Sequence, residues 1–140
     1  MALTGSFRIG HDEAFPMGAF VVGEVEPIRD FDKSTRERFV QQLDRETGLP
    51  LWSVTVLDAD PAARKSDKTL TVKIAAPHQP VPPETGPGMP FRPVFFDGLE
   101  VRPYVVDNGG GRPRIGYSLR AASMRAPGGK PSPRSSSEAA

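Results

Sequence analysis

An all-β domain is predicted: a small barrel of five to six short strands with long loops and a disordered C-terminal tail. Three observations carry this. Short runs alternate apolar and polar residues with a period of two. The 14 glycines and 16 prolines gather between those runs rather than within them. The one segment with helical spacing has too thin an apolar stripe to anchor a bundle. At 140 residues one domain is expected. Residues 1–17 read as an irregular N-terminal segment, 18–125 as the folded unit and 126–140 as a disordered basic tail.

The elements follow in order. "GAFVVGEVE" (18–26) is β-rich and bounded by Gly18 and Pro27. Ala19, Val21 and Val25 alternate with Phe20 and Val22, as in a strand covered on both faces. "STRERFVQQLDRETGLPLW" (34–52) admits two structures. As a helix, Ser34 and Glu37 form a capping box, Phe39, Val40 and Leu43 make the apolar stripe, and Gly48 ends it. As a hairpin, "RERFVQQLD" is joined through the Gly-bearing link "RETG" to "LPLWSVTVLD". In that second arm Trp52, Val54 and Val56 alternate with Leu51, Ser53 and Thr55, which favours the hairpin and packs Trp52 in the core. "TLTVKIAA" (69–76) turns Leu70, Val72 and Ile74 inward and Thr69, Thr71 and Lys73 outward.

The segment 77–93 carries seven prolines and runs extended over the surface. "VFFDGLEVRPYVV" (94–106) is β-rich, but Asp97-Gly98 and Pro103 predict a turn or bulge and an edge position, which also admits pairing across a homodimer. "IGYSLRAASM" (115–124) sets Ile115, Tyr117, Leu119 and Ala121 on an inner face against Gly116, Ser118, Arg120 and Ala122. A small barrel buries one face of each such strand without leaving long edges, and the oligonucleotide/oligosaccharide-binding (OB) barrel is its best-known form. A β-sandwich is the competitor.

Chemistry narrows the function by elimination. Without cysteine the chain has neither disulfides nor thiolate metal sites, and a reducing cytoplasm is the expected compartment. No secretory pattern or membrane-length apolar run is read. His11 and His78 stand alone in irregular segments, so neither is assigned a catalytic or metal role. "GGG" at 109–111 precedes a strand rather than a helix start and is no phosphate loop. Asp58 and Asp60 lack the further oxygen ligands that calcium needs. No enzyme, cofactor or metal is expected.

Charge is uneven along the chain. The net charge is +1, yet Val101–Ala140 holds seven Lys/Arg against two Asp/Glu, leaving the first hundred residues acidic. Arg36 and Arg38 would share a face if 36–43 is a strand. Lys73 projects from a polar face, Arg102 and Tyr104 share one, and so do Arg114 and Arg120, with Arg112 in the loop beside them. Cations that track phosphates, interleaved with a ring on which bases stack, are what single-stranded nucleic acid requires. Tyr104 is the stacking candidate, whereas Tyr117 falls in phase with core residues.

"GAFVVGEVEPIRDFDKSTRERFVQQLDRETGLPLWSVTVLDADP", "TVKIAAP", "PFRPVFFDGLEVRPYV" and "IGYSLRA" together resemble the plasmid replication, integration and excision activators of actinobacterial integrative conjugative elements. The resemblance spans roughly residues 4–125. It implies an accessory role in moving an integrated element toward excision and replication. The layout also resembles small OB-type single-stranded-DNA-binding proteins of phages and mobile elements, a fold-level analogy. The leading expectation is therefore a non-enzymatic cytoplasmic DNA-binding protein, with single-stranded DNA as ligand. The rivals are an adaptor that recruits a replication initiator or excisionase through the Pro-rich segment and tail, and an activator of duplex promoters.

Overall fold

The computed structural model describes residues 5–65, 68–84, 88–107 and 110–128. Among these, the fold is nearly all β. Its elements are β1 (Phe7–Arg8), α1 (His11–Ala14), β2 (Ala19–Val21), β3 (Glu26–Pro27), β4 (Leu51–Asp58), β5 (Thr69–Ala75), β6 (Arg92–Asp97), β7 (Glu100–Val106), β8 (Arg114–Ala121) and β9 (Ser123–Arg125). They form one curled sheet, a half-barrel in outline, in the order β1-β7-β8-β5-β4-β2-β6-β9, with β3 also paired to β4. All pairings are antiparallel except β5 with β8.

Alternation decides which residues enter the core. Val54 and Val56 of β4, Val72 and Ile74 of β5, Val94 and Phe96 of β6, and Leu119 and Ala121 of β8 are buried in one cluster. Their neighbours Ser53, Thr55, Thr71 and Lys73 point to the other face. Trp52 packs against the cluster and donates its indole N–H to the Ala76 carbonyl at 3.0 Å.

The interruption at Asp97-Gly98 is neither a hairpin turn nor a bulge. Asp97 pairs with Ser123 and Glu100 with Arg120, three residues further on each chain, so the register is unbroken. Both chains kink there together, and Gly98 takes φ +63° where an added Cβ would meet the Ala122 Cβ at 2.9 Å. Residues 92–106 and 114–125 thus act as one long, kinked hairpin.

Segment 34–50 is not the capped helix. The expected hairpin forms only next to its turn, where Leu43 bridges Pro50 antiparallel and Leu51 N–H donates to Gln42 O, while 34–40 is no strand. Ser34 does not cap a helix. Its Oγ accepts from Val40 N at 2.9 Å and donates to Val40 O at 3.0 Å, while Thr35 N–H donates to Arg38 O. The Val40 carbonyl also accepts the Asp30 N–H at 2.8 Å, and backbone pairing along the arm is limited to isolated bridges, Arg29 to Gln41 and Leu43 to Pro50. The link itself is a tight turn. Gly48, at φ +73°, donates to Asp44 O, and Asp44 N–H donates to Leu49 O, both at 2.8 Å. The expected strand placing Arg36 and Arg38 on one sheet face is corrected accordingly.

The N-terminal segment, expected to be irregular, contributes to the core. Phe15 is buried, and His11 at the start of α1 is packed among Phe15, Phe95 and Phe96. His11 Nδ1 accepts the Phe96 backbone N–H at 3.1 Å, which requires the neutral Nε2–H tautomer. Burial, helped by Arg125 and opposed by Asp12 and Asp97, pushes its pKa below 6.5. A base with a depressed folded-state pKa contributes stability above its unfolded pKa and loses it as pH falls. Chemical denaturation should therefore give a lower stability at pH 5 than at pH 7.5, and His11→Phe should flatten that slope while lowering stability throughout.

Candidate nucleic-acid interface

The outer face of the sheet collects most of the expected contact residues, and register fixes this without any assumption about side-chain rotamers. Lys73 on β5 stands beside Arg120 on β8. Across the β7–β8 pair, Glu100 faces Arg120, Arg102 faces Ser118, Tyr104 faces Gly116 and Val106 faces Arg114. Side chains directly opposite in a sheet lie on one side of it. Lys73, Arg102, Tyr104, Arg114 and Arg120 therefore share the face turned away from the core. Lys73, Arg102 and Arg114 are exposed, and none has a carboxylate within ion-pair distance among the described residues.

Tyr104 lies across Gly116. A Cβ added at Gly116 would stand 2.6 Å from the ring Cζ, so the ring needs the bare backbone of that glycine. This is a cross-strand aromatic–glycine pairing, and it holds the ring flat against the ribbon. Tyr104 stays 51% exposed. Gly116→Ala should push it off the strand and cost about 1–3 kcal/mol of stability by overpacking, measurable by denaturant titration, with loss of whatever stacks there.

Arg120 has a different occupation from the one expected of it. Its two terminal nitrogens donate to the two carboxylate oxygens of Asp44, each at 2.7 Å. Asp44 is buried and also accepts from the Thr47 amide and hydroxyl. These donors, Arg120 first, hold the Asp44 carboxyl well below the usual carboxylate range, and Asp44 in turn raises the Arg120 pKa. Arg120 is thus a strut pinning the 34–50 arm to the outer face, and its expected role as a phosphate contact is corrected. The arm's position also covers Leu51, which alternation alone would leave in solvent.

The remaining candidates lie elsewhere. Arg36 and Arg38 are exposed in the turn of the arm, and Arg112 is exposed just before β8. The arm and the connection before it add two exposed aromatics outside the expected contact set. Phe31 is 84% exposed and Phe39 is exposed, with the Arg29 guanidinium 5.9 Å from the Phe39 ring centroid. The signal lies in "IRDFDKSTRERF", where rings alternate with charges, although Phe39 also fits the apolar stripe of a helix. Tyr117 and Ile115, expected inside, are 60% and 63% exposed because β7 and β8 run on past the core as a two-stranded ribbon.

Residues 129–140 of the expected tail, and parts of the Pro-rich and Gly-rich loops at 85–87 and 108–109, lie outside the described residues. No group of three or more His, Cys, Asp or Glu side chains is assembled for a metal among the described residues, and no helix among them is long and apolar enough to cross a membrane. No family model, curated protein or solved structure matches this chain.

Proposed function

We propose that this chain is an OB-type barrel that binds single-stranded DNA along its outer sheet face, as a non-enzymatic accessory protein in replication, integration and excision of a mobile element. The fold assignment is supported by pairing. Counted as continuous kinked strands, 92–106 and 114–125 join β2, β4 and β5 in a five-membered ring, with β6 on β2 and β8 on β5. Five strands with one parallel contact fit the OB arrangement. The observation that carries the function is that Lys73, Arg102 and Arg114, with no ion-pair partner among the described residues, share one face with the half-exposed Tyr104. The biological role rests on the sequence resemblance.

A cytoplasmic setting and a DNA partner belong to this same reading. Fluorescence anisotropy with labelled oligothymidylate tests it. Affinity should fall with salt at a log–log slope of about −0.7 per neutralised phosphate, and should exceed that for duplex. No binding at about 50 mM salt would remove it.

A further inference from the structure

We propose that two copies of this chain associate face to face through the apolar side of the β7–β8 ribbon. This stands apart from the nucleic-acid reading, because it uses the opposite face. Register again fixes the membership. Val101 opposes Leu119, Pro103 opposes Tyr117, Val105 opposes Ile115, and on the outer edge Phe7 of β1 opposes Val101. The first pair is continuous with the core. Beyond it the same face carries on into solvent, with Val105 72% exposed and Phe7, Pro103, Ile115 and Tyr117 exposed as well.

An uncovered two-stranded ribbon is marginal in water, and a contiguous apolar patch of this kind marks an interaction surface. The side chains point to a second copy as the cover. No charged residue lies on this face between Val101 and Val105 or between Ile115 and Leu119, so like against like brings no repulsion. A basic or acidic partner would find nothing there to pair with. Aromatic side chains present roughly 150–250 Å² each, and with the exposed parts of Phe7 and Tyr117 added to those of the smaller Pro103, Val105 and Ile115 the face leaves on the order of 500 Å² open. Two such faces bury about 1,000 Å² in total, the lower bound for a specific interface, and so predict a reversible dimer of micromolar affinity.

Edge-to-edge pairing is the poorer alternative. β1 covers the β7 edge only at Glu100 and Val101, but Pro103 removes a donor from the middle of the rest. Face-to-face packing also leaves Arg102, Tyr104 and Arg114 outward on both copies.

Sedimentation velocity on the full chain, from about 5 to 500 μM, tests the proposal. The parent should pass from monomer to dimer with a midpoint of about 10–100 μM. Val105→Lys combined with Ile115→Lys should stay monomeric throughout, with an unchanged far-UV spectrum and melting curve. Should that variant unfold, Val105→Thr with Ile115→Thr should move the midpoint upward at least about tenfold. A parent that remains monomeric at the highest concentration overturns the proposal. So does a folded variant that dimerises as the parent does. A monomeric parent whose threonine variant loses oligonucleotide affinity would assign the face to nucleic acid instead.

Discussion

Arg102→Ala combined with Arg114→Ala is expected to reduce oligothymidylate affinity about a hundredfold at low salt, near tenfold for each lost charge-assisted contact. The salt slope should shrink by about 1.4 at the same time, two phosphates at roughly 0.7 each. Both residues are exposed on strands, so the far-UV spectrum and melting temperature should hold. Tyr104→Ala separates stacking from charge. It should cost about 1–3 kcal/mol of binding, roughly 5- to 150-fold, and leave the salt slope alone. Anisotropy titrations of parent and variants at three salt concentrations read both quantities. An unchanged affinity in the double arginine variant would remove the outer face from the account.

Asp44→Ala is expected to be the most destabilising single change outside the hydrophobic cluster, by about 2–4 kcal/mol in urea denaturation. The carboxylate satisfies Thr47 twice and both ends of the Arg120 guanidinium. Removing it takes from Arg120 its two short charge-assisted bonds, leaving only the nearby charges of Glu46 and Glu100, and frees the arm from the sheet. The magnitude is kept below that of a sealed ion pair because the Arg120 side chain is 34% exposed. The acid dependence has a definite sign. Asp44 titrates below its ordinary value in the folded state, so its contribution is complete above the unfolded carboxylate pKa and is lost as pH falls below about 4. This acid loss is separate from that of His11, which begins at a higher pH. The Asp44→Ala variant should lack the lower of the two transitions.

Much of the fold was legible because period-two alternation survives wherever one strand face is buried. The assignments for Leu70, Val72 and Ile74, and for Val54 and Val56, needed nothing but letter order. The ribbon defeated the same rule. Ile115 and Tyr117 keep the core pattern of Leu119 and Ala121, yet lie beyond the reach of the cluster, and a sequence pattern cannot say where a strand outruns its core. The arm failed for another reason. The Ser34 hydroxyl bonds both backbone groups of Val40, whose carbonyl also accepts the Asp30 N–H, and such competition with regular structure is a tertiary choice among many polar candidates. At the site, alternation placed Arg102 and Tyr104 together correctly. It could not show that Arg120 is held by Asp44, seventy-six positions away in sequence. Nor could it show that Gly116 is the floor on which the Tyr104 ring lies.

The chain has two tyrosines, and they occupy opposite faces of one ribbon. Photo-cross-linking to oligothymidylate, followed by peptide mass spectrometry, therefore reads directly which face holds the strand. Attachment at Tyr104 is the predicted result. Attachment at Tyr117 with Tyr104 unmodified would contradict the account.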